Sequence, residues 1–129
     1  MTQFSNNTEE KKRGYDLEER TAKFGEDVIV LCQRIKHTPV ITPLINQLVR
    51  SATSVGANYM EANGASSKRD FRNKIFICKK EAGESKHWLR MLKTAVPDLA
   101  VDLKKLWQEA QELTLIFQKI AKSSGESSP

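Results

Sequence analysis

The sequence has 129 residues, of which 29% are charged, 39% hydrophobic and 7% aromatic, and its formal net charge is +5 at pH 7. This length suits one domain, and a single domain of this size is too small to enclose a deep active site. No uncharged stretch approaches the roughly 20 residues of a membrane-spanning helix, and the N-terminus lacks a secretory pattern. Cys32 and Cys78 stand far apart among apolar residues, which is typical of reduced core thiols in a cytoplasmic protein.

Apolar and small residues recur in alternating steps of three and four along four segments, a spacing that belongs to amphipathic helices and not to strands. In chain order the sequence predicts helices at 16–36, 42–63, 67–95 and 98–122, within one domain at 15–122. The polar ends at 1–14 and 123–129 are predicted to be disordered tails. The seam of the first helix consists of Leu17, Thr21, Phe24, Val28, Leu31 and Ile35.

Capping residues mark the helix boundaries. Asp16 with Glu19 resembles a capping box that opens helix 1, and Thr42 followed by Pro43 predicts an N-cap and a proline at the first position of helix 2. Ser67 is predicted to cap helix 3 in the same way. The connections are short, so neighbouring helices must run in opposite directions. The fold class is therefore all-α, an antiparallel up-down-up-down four-helix bundle.

Two helices carry more apolar residues than one core needs. The extra residues are Ala22, Gly25, Ile29 and Cys32 on helix 1, and Ile77, Trp88, Met91 and Ala95 on helix 3. A wide core-facing stripe would explain them within one chain. Burial against further copies of the chain would also explain them, and we expect a homo-oligomer.

Basic residues concentrate on helix 3. Between Lys68 and Lys93, nine basic side chains oppose three acidic ones, so this helix alone carries +6. Like charges repeated along one helical face are destabilising, which favours a polyanionic partner over a solvated surface. The nucleic-acid backbone, and structured RNA in particular because exposed aromatic residues are not evident, is the predicted partner. The predicted contact residues are Lys68, Arg69, Arg72, Lys79, Lys80, Lys86, Arg90 and Lys93.

Two other interpretations of this basic helix stay open, an incidental basic face and an acidic protein partner. Catalysis is not predicted, because no nucleophile, oxyanion site or phosphate-binding loop accompanies the carboxylates. Glu84 and His87 form the Glu-x-x-His pair of carboxylate metal sites, but such bundles need two pairs and only one is present. A metalloprotein is thus a minor alternative, and no cofactor and no membrane partner are expected.

Helix 2 carries a recognisable motif. Residues 48–62 read LVRSATSVGANYMEA, which resembles the signature Arg-Ser-x-x-Ser-Ile/Val-x-x-Asn-x-x-Glu. That signature belongs to the bacterial four-helix-bundle family encoded by intervening sequences within large-subunit ribosomal RNA genes. Residues 80–89 are similar to one branch of the family, and the resemblance covers 15–122. Ala62 stands where many members have glycine.

The resemblance implies a four-helix bundle that assembles into a ring, often a homopentamer, with no known catalytic activity. A related branch comprises the accessory variability proteins of diversity-generating retroelements, basic pentamers that bind nucleic acid and a reverse transcriptase. The alternative to nucleic-acid binding is therefore an oligomeric adaptor, possibly an accessory subunit of a reverse transcriptase. The residues predicted to form structural polar pairs between helices or subunits are Arg50, Ser54, Asn58, Glu61, Glu81 and Glu84.

Overall fold

The structure, a computed structural model, describes residues 16–126. Within them lie four α-helices and no strand: α1 (Leu17–Gln33), α2 (Ile41–Asn63), α3 (Lys68–Ala95) and α4 (Ala100–Glu126), the last preceded by the 3₁₀ turn Pro97–Leu99. Each helix packs on its neighbour in the chain, and α4 closes the bundle by reaching α1. The antiparallel up-down four-helix bundle is confirmed. The predicted tail at 1–14 and the residues 127–129 lie outside the described residues.

The cap of α1 is as predicted, but the helix ends earlier. The Asp16 side chain accepts a hydrogen bond from the backbone N–H of Glu19 at 3.4 Å. At the other end, the N–H groups of Arg34 and Ile35 bond carbonyls three residues back, at 3.0 and 3.1 Å. Such tightened bonds close a helix, so α1 stops at Gln33 instead of residue 36.

The cap of α2 differs from the prediction. The hydroxyl of Thr38, not that of Thr42, accepts a bond from the N–H of Ile41 at 3.1 Å, and the carbonyl of Thr38 accepts from the N–H of Thr42. Pro39 and Val40 form the turn between Thr38 and the first residue of the helix, Ile41, and Val40 itself makes no side-chain cap bond. A Thr-Pro pair does open the helix, but it is the pair four residues earlier. In α3 the predicted cap is confirmed, with Ser67 accepting from the N–H of Asp70 at 3.0 Å.

The last helix is longer than predicted. The range 123–126, assigned to the tail from its composition, forms the final turn of α4. Because α3 and α4 are antiparallel, this turn lies beside the start of α3, and a Cβ added at Gly125 would lie 3.6 Å from the guanidinium of Arg72. Ser123 and Ser124 border the same hollow as Ser67 and Phe71. Tertiary packing thus extends the helix through residues of low helical propensity.

The predicted seams meet in the core. All six seam residues of α1 are buried, and every seam residue of the other helices is buried or half-buried. Phe24, Leu48 and Phe117 are among the largest side chains fully enclosed. Cys32 and Cys78 are free and buried, and desolvation raises their thiol pKa values to about 11 and about 12. Both therefore stay protonated and pack as small apolar groups.

The extra stripe of α1 has two parts. Gly25 and Cys32 belong to the core of the single chain, whereas Ala22 and Ile29 are exposed beside α2. Gly25 and Gly56 let α1 and α2 approach closely, since a Cβ on either would lie 3.4 Å from backbone atoms of the other helix. Half of the stripe is thus explained by packing within one chain.

We expect Gly83→Ala to stabilise the protein. Gly83 lies inside α3, and a Cβ there would meet no atom within 4 Å. Replacing glycine by alanine in a helix interior raises the free energy of unfolding by about 1 kcal/mol when the site is open. Denaturant unfolding at fixed protein concentration measures this. The matched control is Gly56→Ala, whose added Cβ meets the backbone of Thr21, and it should gain less. An equal loss of stability in both variants would contradict the open site at Gly83.

Candidate nucleic-acid interface

The eight basic residues predicted to contact nucleic acid all reach the surface of α3. Lys79 and Lys86 are half-buried and the other six are exposed. Within residues 16–126, none of the eight forms an ion pair. Their charges are therefore not neutralised by the part of the chain that the structure describes.

The acidic residues of α3 turn towards α2. Nη1 of Arg50 donates to both carboxylate oxygens of Glu81, at 3.2 and 3.3 Å, and Nη2 donates to Glu84. The indole N–H of Trp88 also donates to Glu84, at 3.2 Å. Arg50 thus draws these two carboxylates to the side of α3 that faces α2, away from most of the eight basic residues.

The acidic residues of α4 turn towards α1 in the same manner. Arg20 donates to Glu109 at 2.8 and 2.9 Å and to Glu112 at 2.8 Å. Hydrogen bonding to Glu109 raises the pKa of Arg20. Near the other end of these helices, Arg34 donates to Asp102 at 3.1 Å. Arginines do not bind every carboxylate of this half of the bundle. Asp70 in the first turn of α3 and Asp98 in the 3₁₀ turn lie outside these ion pairs.

A cleft lies between α3 and α4, and its rim is basic. It is lined by Leu89, Arg90, Lys93, Leu103, Lys104 and Trp107, with a volume of about 360 Å³. The ammonium of Lys86 lies 5.4 Å from the centre of the Trp107 ring and donates to Gln111 at 2.5 Å. We define the basic face as the eight α3 residues together with Lys104, which extends it onto α4.

Trp107 and Lys104 were not among the residues predicted for the interface, and the expectation that exposed aromatic residues are not evident is wrong. The Trp107 side chain is 38% exposed and Phe76 is 45% exposed, with the Arg72 guanidinium 5.7 Å from the Phe76 ring centre. The spacing of α4 could have predicted this. Its core-facing seam includes Leu106 and Ala110, and Trp107 does not continue the steps of three and four, so its side chain lies beside the seam and reaches the surface. Structured RNA was preferred over unpaired strands because exposed aromatic residues were not evident, and the exposed Trp107 and Phe76 remove that reason.

The Glu-x-x-His pair is not arranged as a metal site. Glu84 is engaged by Arg50 and Trp88, and the ring of His87 lies edge-on to Trp88 with centres 4.8 Å apart. Among the described residues, no group of three or more His, Cys, Asp or Glu side chains is placed to hold a metal ion. Nor is any helix in this range long and apolar enough to cross a bilayer.

Comparison with known proteins then identifies the relatives of the chain. A family model described as 23S rRNA-intervening sequence protein matches residues 15–119. The chain belongs to the 23S rRNA-intervening sequence protein family. A crystal structure of a protein with unknown function from the S23 ribosomal protein family of Bacteroides thetaiotaomicron VPI-5482 is similar in fold, with a TM-score of 0.71 and 26% identity over 81% of this chain and 97% of the other. No curated protein matches.

The motif that resembled the 23S rRNA-intervening sequence family lies on α2, and its polar residues have different roles. Arg50 bridges to α3, as described above, and Glu61 accepts from Lys74 on α3 at 2.8 Å, which raises the pKa of Lys74. Within residues 16–126, Ser54 and Asn58 form no hydrogen bond to another helix. They donate to the carbonyls of Arg50 and Ser54 one turn back, because those acceptors are nearest to short polar side chains on a helix.

One polar contact between helices was not predicted. The buried hydroxyls of Ser51 and Ser85 lie 2.8 Å apart and join α2 to α3, with Ser51 directly after Arg50 in the chain. Each hydroxyl also lies within hydrogen-bond distance of a carbonyl of its own helix, and because the pair has two protons, one hydroxyl donates to the other and the second donates to its carbonyl. Small side chains at this crossing let the helices approach and satisfy both polar groups, which fixes the position of α3 relative to Arg50.

We expect Arg50→Met to lower the free energy of unfolding by about 1 kcal/mol, because Glu81 and Glu84 lose their shared cation while Glu81 stays largely covered. Denaturant unfolding at low and high salt measures the effect, which should shrink as salt screens the charges. The matched control is Lys23→Met, which breaks an exposed pair with Asp27 on α1. If Arg50→Met and Lys23→Met lowered the free energy of unfolding by the same small amount, the stabilising role of Arg50 would be contradicted.

Proposed function

We propose that this protein is a non-enzymatic, homo-oligomeric bundle of the cytoplasm that binds the backbone of nucleic acid, structured RNA in the first place, through its basic face. The observation that carries the proposal is the separation of charge across the bundle. Carboxylates of α3 and α4 are held by arginines of α1 and α2, while the eight basic residues of α3 lack ion pairs among the described residues.

The geometry of the basic face suits an extended polyanion. From Lys68 to Lys93 the face runs for about 38 Å along α3 at 1.5 Å per residue. Lys104 and Lys122 on α4 are eighteen residues apart, five full turns, so they project on the same side of that helix. A phosphate backbone supplies negative charge at this scale and releases its counterions on contact, which drives binding without reading the bases.

The proposal assigns no catalytic residues. Paired carboxylates are the usual acid and base of hydrolytic sites, but Glu81 and Glu84 share one guanidinium, as do Glu109 and Glu112. Carboxylates bound in this way serve to position α3 and α4. The free thiols of Cys32 and Cys78 support a reducing compartment.

Assembly is the second part of the proposal. A groove between α1 and α2 is lined by small and apolar residues, and Ile29 and Met60 on its walls are 38% and 58% exposed. We propose that further copies of the chain cover this groove in a ring, and a pentamer is the form that the family resemblance implies. The α1–α2 side lies opposite the α3–α4 side. Assembly through the groove would therefore leave the basic face open and repeat it around the ring, which strengthens binding through multivalency.

Salt dependence tests the binding. We expect a structured RNA hairpin to bind with an affinity that falls linearly on a log–log plot against salt. The triple variant Arg72→Gln, Lys79→Gln and Arg90→Gln should bind more weakly and lose roughly 2 units of slope, because each phosphate contact contributes about 0.7–0.9.

The matched control removes three exposed charges outside the basic face, Lys36→Gln, Lys105→Gln and Lys119→Gln. Equal weakening by both triple variants would contradict a defined face, since only diffuse attraction would remain. No RNA binding at low salt would overturn the proposal, and capture of an acidic protein by the same face would then favour the adaptor alternative.

Light scattering tests the assembly. The wild-type protein should have the mass of several 14.6-kDa chains, about 73 kDa for a pentamer. Met60→Arg places a charge in the α1–α2 groove and should lower the mass, because an interface cannot bury an unpaired cation cheaply. The control Val40→Arg, at an exposed turn residue before α2, should not change it. A monomeric wild-type protein would contradict the proposal.

A further inference from the structure

The cleft between α3 and α4 combines an aromatic face with cations, and backbone binding uses only the cations. Trp107 forms one wall, and Arg90, Lys93 and Lys104 surround it. Leu89 and Leu103 at its base are each only 1% exposed, so the apolar surface that the cleft offers is mainly the indole of Trp107, which is 38% exposed. An exposed indole is costly to leave in water and has no use in holding phosphate groups.

We propose that this cleft binds one unpaired nucleotide of an RNA strand, with its base stacked on Trp107 and its phosphate held by the surrounding cations. The inference rests on the proposed function and specifies which nucleic acid the basic face prefers. A base that is paired within a duplex presents only its edges, whereas an unpaired base offers a free ring face for stacking. The preferred ligand is therefore single-stranded RNA, or a structured RNA with an unpaired loop or end.

The dimensions of the cleft support one nucleotide. Its volume of about 360 Å³ lies within the range of roughly 300–1,000 Å³ in which small-molecule sites occur. Arg90 and Lys93 stand on the α3 wall, and Lys104 stands beside Trp107 on the α4 wall, so a base on the indole has cations on both sides for its phosphate. Lys86 adds a cation 5.4 Å from the centre of the indole ring, and its bond to Gln111 on α4 keeps it in place.

A second exposed aromatic residue on α3 provides a comparison. Phe76 is more exposed than Trp107, and a cation lies over each ring, but Phe76 does not line the cleft and has none of its apolar and basic neighbours. The proposal therefore distinguishes the two residues: Trp107 stacks a base and Phe76 does not.

Fluorescence and affinity together test the inference in the full-length protein. The sequence has two tryptophans, so Trp88→Phe leaves Trp107 as the only indole. In this background, a single-stranded oligoadenylate of about 12 nucleotides should quench the fluorescence of Trp107. A blunt-ended RNA duplex should bind without quenching it.

Substitution of the aromatic residue should separate the two ligands. Trp107→Leu should weaken single-strand binding about tenfold and leave duplex binding within about twofold, because the stacking of one base contributes about this much. Trp107→Tyr keeps an aromatic face and should restore most of the loss. Phe76→Leu, the matched control, should change neither affinity. Circular dichroism checks that each variant keeps the helical fold.

The outcomes separate this inference from the proposed function. Suppose that both RNAs bind and that the Arg72, Lys79 and Arg90 triple variant weakens the binding of both. If Trp107→Leu then changes neither affinity, or changes both equally, base stacking in the cleft is overturned and backbone binding stands. If neither RNA binds at low salt, the proposed function falls and this inference falls with it. Quenching by free adenosine monophosphate as tight as that by the strand would overturn a strand as the ligand.

Discussion

Ion pairs between the two halves of the bundle organise its surface. Arg20 on α1, Arg34 directly after α1 and Arg50 on α2 together bind five carboxylates of α3 and α4. Each pair removes a negative charge from the outer side of α3 or α4 and places it at a seam with another helix. The basic face follows from this arrangement, because within residues 16–126 its eight α3 residues form no ion pair, whereas Lys74 on α3 pairs with Glu61.

The same ion pairs support the fold where its packing is thinnest. α1 and α4 have the least extensive contact among the adjacent helices, and the pairs of Arg20 and Arg34 span that contact near its two ends. Arg20 binds two carboxylates with good geometry, and its partner Glu109 is largely covered, so this pair contributes more than an isolated surface pair. Stability and surface charge therefore depend on the same few side chains.

The sequence predicted the helices well because their seams follow a strict spacing, and it predicted Ser67 and Asp16 as caps because capping depends on residues near in the chain. It failed where distant residues decide. The final turn of α4 forms beside Arg72 of α3, a residue distant in the chain. At the start of α2 the failure is local, because two Thr-Pro pairs compete and Thr38, not Thr42, accepts the bond from the N–H of Ile41.

In the candidate site, too, local spacing predicted some residues and the packing of distant elements determined others. The eight basic residues could be placed on one helix from their spacing alone. Trp107 and Lys104 belong to the interface only because α4 lies beside α3 with a particular rotation, and helical spacing does not determine that rotation. Ser54 and Asn58 were predicted to pair between helices or between subunits; within the chain they donate to carbonyls of α2, and the pairing between subunits stays a prediction.

Photocrosslinking to RNA tests the separation of charge most directly. An RNA hairpin that carries 4-thiouridine would be irradiated with the intact protein at low salt, and the modified peptides would be located by mass spectrometry. The account predicts crosslinks on α3 and the facing side of α4, with those near Arg90 and Trp107 prominent. Crosslinks concentrated on α1, or in the groove of Ile29 and Met60, would contradict it.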